Sequence, residues 1–206
     1  MGPTRTEALA IASADQRVFM WNMPWSHYEV MLALRGDAAV PRFTYLRGTL
    51  ELMTPSGGHE STRKTIARLV ESYAEEIGVD LWAYGSWTLK SAPKERGAEP
   101  DECYVLKAPQ ARGVPDLAIE VAWTHGGLEK LEIYSELGVS EVWMWADGKI
   151  SVHVLKVGAY EEVPRSVAFP ELDLDLVARL ATHPNPSQAV RELRAHVRAK
   201  RGGPTK

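Results

Sequence analysis

Pro115-Asp116-Leu117-Ala118-Ile119-Glu120-Val121-Ala122 reads as a short strand with a carboxylate inside it. Side chains alternate along a strand, so Leu117, Ile119 and Val121 share one face and Asp116, Ala118, Glu120 and Ala122 the other. An ionised carboxylate in so apolar a run is costly unless something pairs with it. Glu120 is therefore a salt-bridge partner, a residue on the exposed face of an edge strand, or a ligand held on a rigid strand facing a cleft, as a divalent-cation site requires.

Two Pro-Asp dipeptides compete to partner it, Pro100-Asp101 and Pro115-Asp116. Asp116 lies four residues before Glu120 on one strand, roughly 13 Å away at ~3.3 Å per residue. One Mg²⁺ cannot bridge that span, and Asp116 reads as a strand-entry turn. Asp101 opens the preceding strand, Cys103–Leu106. Antiparallel pairing brings the start of that strand to the end of Leu117–Val121, which makes Asp101 and Glu120 neighbours.

Outward from this pair the elements follow from periodicity and punctuation. Arg42–Leu46 and Thr49–Met53 form a hairpin about Arg47-Gly48. Ile66, Leu69, Val70, Tyr73 and Ile77 mark one face of a long helix that stops at Gly78, and Leu128, Leu131, Tyr134 and Leu137 mark a second that stops at Gly138. Ser26-His27-Tyr28-Glu29 is a capping box for an earlier helix ending near Arg35. Leu81–Lys90 reads as a strand broken near Gly85-Ser86, Pro93–Ala98 as a polar loop, and Lys107–Pro115 as a loop. Asp147-Gly148 turns Glu141–Ala146 into Ile150–Leu155. A strand near Tyr160–Val163 and two helices, near Asp173–Ala181 and Ser187–Lys200, close the chain. Helix, three strands, helix, strand from His59 to Ala146 implies an α/β fold. Its mixed sheet is antiparallel in part, crossed over by a helix, and flanked by helices. Residues 1–24 read as an N-terminal arm, 25–181 as the domain, and 182–206 as a basic C-terminal helix and tail.

Composition bounds the function. The 206 residues carry 24 basic and 27 acidic side chains, a net charge of −3, so the body is not a nucleic-acid-coating surface. The local exception is 187–206, where Arg191, Arg194, Arg198, Lys200, Arg201 and Lys206 face the single acid Glu192. This run is either a solvated helix or a phosphate-contacting arm. One cysteine, Cys103, excludes an intramolecular disulfide and a Cys-rich zinc site, and fits a reducing, cytoplasmic setting. The N-terminal residues read as neither signal peptide nor anchor, and no run of 18 apolar residues offers a membrane span. His59-Glu60 lacks the second histidine of a zinc-protease helix. No G-x-S-x-G elbow occurs, nor any Gly-rich phosphate loop that would announce an organic cofactor.

An aspartate opening one strand and a glutamate on the next is the metal-binding half of the PD-(D/E)XK nuclease signature, and the chain resembles the Uma-two family of restriction-endonuclease-like proteins. The resemblance runs from about Trp25 to Phe169. Its segments are Gly48–Ser56, His59-Glu60, Glu99–Tyr104, Pro115–Val121, Lys130–Tyr134, Leu137–Val139 and Glu141–Trp143. It implies a restriction-endonuclease-like α-β-β-β-α-β core with an added N-terminal helix and hairpin. It also implies a Mg²⁺ (or Mn²⁺) site and hydrolysis of DNA phosphodiester bonds. Asp101 and Glu120 match directly. The lysine expected two residues after Glu120 is Ala122. In this family the basic residue comes from the following helix, where Lys130 stands.

Many relatives carry a further glutamate just after the aromatic that matches Phe43; here that position is Thr44. With Arg47-Gly48 as the turn, Thr44 faces Glu51 across the hairpin, and opposite residues point to the same sheet face. Glu51 is thus the expected third acid of the metal site, unless it is an ordinary solvent-facing glutamate. His59, Glu60 and Lys90 are auxiliary candidates. The expected function is a Mg²⁺-dependent endonuclease acting on DNA as a homodimer. The alternatives are a catalytically silent module of the same fold that binds nucleic acid or protein, and a self-associating protein using Trp143 and Trp145.

Overall fold

The computed structural model describes residues 14–106, 113–122 and 127–202. The first thirteen residues, Lys206 and most of the Lys107–Pro115 connection lie outside them. The described chain runs β1 (Gln16–Met20), α1 (Trp25–Arg35), β2 (Arg42–Leu46), β3 (Thr49–Thr54), α2 (Gly57–Ile77), β4 (Trp82–Ala83), β5 (Leu89–Ser91), β6 (Arg96–Ala98), β7 (Glu102–Val105) and β8 (Leu117–Val121). It continues with α3 (Lys130–Leu137), β9 (Glu141–Ala146), β10 (Lys149–Lys156), β11 (Ala159–Val163), α4 (Leu174–Leu180) and α5 (Pro186–Arg201). No helix among the described residues is long and apolar enough to cross a membrane.

The strands divide into two sheets. One has the order β11-β10-β9-β8-β7-β4, the other β1-β3-β2-β6-β5. In the larger sheet β8 pairs antiparallel with β7 and parallel with β9. The parallel pair is joined through α3, because parallel strands need a crossover. The alternation read along Leu117–Val121 is realised with a helix on each side. Leu117, Ile119 and Val121 pack with Ile66, Leu69 and Val70 of α2, while Ala118 packs with Ile133 and Tyr134 of α3. Ile66, Leu69 and Val70 are fully buried, and each such side chain contributes about 1.5–3 kcal/mol relative to exposure. Trp143 and Trp145 are buried in the same core, which leaves neither free to recruit a partner.

The smaller sheet corrects two readings. The hairpin lies at its centre. Residues 16–20, inside the segment read as an arm, form a strand on β3. The supposed polar loop Pro93–Ala98 contains β6, which pairs with β2 and β5. The hairpin register itself is as expected, with Thr44 opposite Glu51 and Leu46 opposite Thr49. The sheet has two unlike faces. Phe43, Tyr45 and Leu50 pack with Tyr28 and Trp25 of α1, whereas Arg42, Thr44, Glu51 and Met53 look the other way, toward the larger sheet.

Both long-range helix ends obey their signals. Ser56 accepts a hydrogen bond from the His59 N–H at the start of α2, and Gly78 and Gly138 take the left-handed conformation that ends α2 and α3. Two of the C-terminal arginines are engaged: Arg194 bonds Glu75 and Glu76, and Arg198 bonds Glu76. The described part of the basic run, Pro186–Arg201, is a helix docked on α2.

Candidate active site

The site forms where the two sheets face each other. Register between β7 and β8 pairs Glu102 with Ile119. Asp101 immediately precedes Glu102, and its carboxylate reaches the N–H of Val121, the residue after Glu120. A cleft of ≈ 250 Å³ opens here, lined by Arg17, Arg42, Thr44, Glu51 and Met53 from the small sheet and by Glu120, Val121, Ala122 and Met144 from the large one. His59 and residues 127–130 complete it. A larger cavity of ≈ 440 Å³, walled by Tyr73, Phe169, Leu193 and Val197, shares none of these side chains.

Glu120 projects from β8 beside α3. Its Oε1 accepts from Lys130 Nζ at 3.2 Å and from the Tyr134 hydroxyl. Its Oε2 has no hydrogen-bond partner among the described residues. Burial, and then the neighbouring Glu120 carboxylate, push the Tyr134 phenol far above its ordinary pKa, so Tyr134 stays protonated and donates. Lys130 occupies the first turn of α3 and also reaches the Glu99 carbonyl at 3.4 Å.

Asp101 is 1% exposed and sits behind the cleft wall. Oδ2 accepts from the Val121 N–H at 2.7 Å. Oδ1 faces His59 Nε2 at 2.9 Å and the Arg42 guanidinium. The other nitrogen of His59, Nδ1, lies 3.1 Å from Asp15 Oδ2, which joins Asp15, His59 and Asp101 in a buried chain. An imidazole flanked by two carboxylates satisfies both when it carries both ring protons. Burial works to raise the Asp15 pKa. Hydrogen bonds from His59 and the Ser56 N–H, with the charges of His59 and Arg17, outweigh it and hold the carboxyl at about 2.

Glu51 is also at the cleft and is fully engaged. Oε1 accepts from Arg17 Nε at 2.9 Å, and Oε2 from the Leu128 N–H at 2.7 Å. Arg17 stands opposite Met53 on β1, diagonal to Glu51, within reach of a long side chain. The backbone comes close because residue 127 is glycine: a Cβ there would lie 3.2 Å from Glu51 Oε1.

Three sequence candidates, Glu51, Glu120 and Lys130, thus line one cleft, with His59 beside them and Asp101 directly behind. Glu60 lies outside the lining and bonds Arg42 at 2.6 Å and Arg63 at 2.7 Å. Lys90 is not brought to the cleft; its ammonium is exposed, 3.4 Å from Glu29. Asp116 accepts from the Leu106 N–H, as a strand-entry residue does. Asp15, Arg17, Arg42 and Tyr134 escaped the sequence reading. Among the described residues no three His, Cys, Asp or Glu side chains converge as a ready-made metal cage. The donor chemistry is nonetheless that of a hard cation: carboxylate oxygens, one of them open.

A family model described as "Putative restriction endonuclease", Uma2, matches residues 25–182. The chain belongs to the Uma2 family. No curated protein matches it significantly. Among solved structures it is similar to a putative nuclease belonging to DUF820 from Anabaena variabilis ATCC 29413. The TM-score is 0.54 and the identity 14%, over 73% of this chain and 96% of that one. At that identity the likeness establishes the fold, a restriction-endonuclease-like α/β architecture. Within this Uma2 chain, β1 precedes the matched span and still supplies Arg17 to the cleft.

Proposed function

We propose that the protein is a divalent-cation-dependent endonuclease that hydrolyses DNA phosphodiester bonds. The observation that carries the reading is the convergence of Glu120, Glu51 and Lys130 on one cleft, with Asp101 immediately before β7 and bonded to the Val121 N–H next to Glu120. Asp101, Glu120 and Glu51 are the side chains that would hold Mg²⁺ or Mn²⁺. Bound there, the cation supplies Lewis-acid polarisation of the phosphate and neutralises charge developing on the leaving oxygen. The protein's own groups have distinct tasks. Lys130, 3.2 Å from Glu120, presents N–H donors to an equatorial phosphoryl oxygen or to the attacking water. Tyr134 fixes the Glu120 rotamer by donating to it. His59 and the Val121 N–H fix Asp101. Cutting both strands of a duplex calls for two sites related by a two-fold axis, so the proposed working form is a homodimer.

A second reading has one observation in its favour. Each acid has a protein cation beside it: Arg17 on Glu51, Arg42 on Asp101, Lys130 on Glu120. That neutrality suits a catalytically silent module that binds nucleic acid or protein. Incubating the full chain with circular and linear DNA in Mg²⁺, Mn²⁺ or EDTA separates the two. The enzyme reading expects cleavage in either metal and none in EDTA; binding without cleavage in every metal supports the silent module.

A further inference from the structure

Arg42 is an expensive residue to keep where it is. Its side chain is 5% exposed, and its Nε makes no hydrogen bond among the described residues although it is buried. A native structure rarely leaves such a donor unserved. Arg42 lines the same cleft as Arg17. The two come from the two strands that flank β3, each opposite Met53, so their side chains rise from one face of the sheet. Each touches an acid assigned above to the cation: Arg17 meets Glu51, Arg42 meets Asp101. A divalent cation and a guanidinium seek the same carboxylate oxygens and compete for them. A guanidinium released from a carboxylate has a second good partner, since its planar fork binds phosphate equally well.

We propose that Arg17 and Arg42 are a phosphate-binding pair that exchanges Glu51 and Asp101 for a backbone phosphate of the substrate. Cation binding and DNA binding thereby reinforce each other. The proposal rests on the nuclease reading and adds to it the residues that hold the substrate's phosphate and the order in which the contacts are traded. Lys130 stays with Glu120 in this scheme. The bridge is local: Arg17 lies on β1, outside the span matched by the family model, and acts on Glu51 only two residues along from its own register partner.

Arg17 is the residue to test, because β1 is an edge strand and its side chain is partly exposed. Two quantities are measured on the full chain: Mn²⁺ affinity without DNA, by calorimetry, and affinity for a short mixed-sequence duplex in Ca²⁺ over a range of salt. Arg17→Met removes the competitor, so Mn²⁺ binds roughly tenfold tighter, the order of one charge-assisted hydrogen bond. Duplex binding weakens, and the log–log salt dependence flattens by about one unit, the signature of one lost phosphate contact. Arg17→Lys retains the steeper slope. If Arg17→Met folds poorly, R17M/E51Q removes the carboxylate left uncompensated and must show the same flattening. An unchanged salt slope in Arg17→Met or in R17M/E51Q overturns the exchange while leaving the nuclease reading intact. Wild-type protein that binds neither Mn²⁺ nor duplex overturns both.

Discussion

Glu120 and Asp101 do different work for the fold, and this decides how their variants are to be interpreted. Asp101 accepts from Val121, His59 and Arg42 in a site closed to solvent. Asp101→Asn turns one acceptor into a donor facing a donor, and we expect a stability loss of about 3 kcal/mol alongside lost cleavage. Glu120→Gln keeps an acceptor for Tyr134 and Lys130 and leaves an exchangeable end in the cleft. It should melt close to wild type and still fail to cut, so it is the cleaner probe. Lys130→Met should slow cleavage with little change in Mn²⁺ affinity if its ammonium serves the phosphate as proposed; equal losses of both would assign Lys130 to holding Glu120 instead. Asp15 makes a pH prediction. Its folded pKa, about 2, lies below the ordinary 3.8, so the stabilisation it provides is complete above about pH 4 and disappears as pH falls through about 2. That contribution is on the order of 2 kcal/mol. Denaturant unfolding of Asp15→Asn should therefore lag wild type at pH 7, and the gap should close near pH 2.

At the scale of elements, legibility followed local signals. α2 and α3 were readable because each has an apolar stripe and a stop: Gly78 and Gly138 are in the left-handed conformation that their positions call for. The Arg47-Gly48 turn has positive φ at both residues, which fixed the hairpin register and with it the place of Glu51. β6 was hidden because Arg96-Gly97-Ala98 has no β-branched or aromatic residue. Its strand character comes from packing: a Cβ on Gly97 would collide with the Tyr28 ring, so the glycine admits α1 against the sheet. Gly97→Ala should cost roughly 1–3 kcal/mol, read as a drop in melting temperature, and Tyr28→Phe in the same chain should not relieve it fully, since ring carbons also clash. Arg42 could have been found from the hairpin alone, because it alternates with Phe43 and shares the Glu51 face. Arg17 and Asp15 could not. No pattern in 1–24 announces a strand, and their partners lie 34 and 44 residues away.

Across the whole molecule, two sheets meet at the cleft, and each contributes side chains to its lining. The larger one offers Glu120 and, through its crossover helix, Lys130; the smaller one offers Glu51, Arg17 and Arg42. The basic C-terminal helix contributes no side chain to the cleft. Its Leu193 and Val197 complete the main core, and Arg194 and Arg198 hold Glu75 and Glu76. Arg194→Ala/Arg198→Ala should leave the salt dependence of duplex binding unchanged, in contrast to Arg17→Met. Removal of residues 186–206 should lower the melting temperature by exposing the α2 surface. A flattened salt slope in the double variant would return the helix to the role of a phosphate-contacting arm.

The central claim is that these acids hold a divalent cation between the sheets. A crystal of the full chain grown or soaked in Mn²⁺ tests it directly through the metal's anomalous scattering. The account predicts a peak bound by Glu120, Asp101 and Glu51, with the Arg17 and Arg42 side chains withdrawn from Glu51 and Asp101. A crystal saturated with Mn²⁺ that shows no peak there, and keeps the Arg17–Glu51 and Arg42–Asp101 pairs in place, would contradict it.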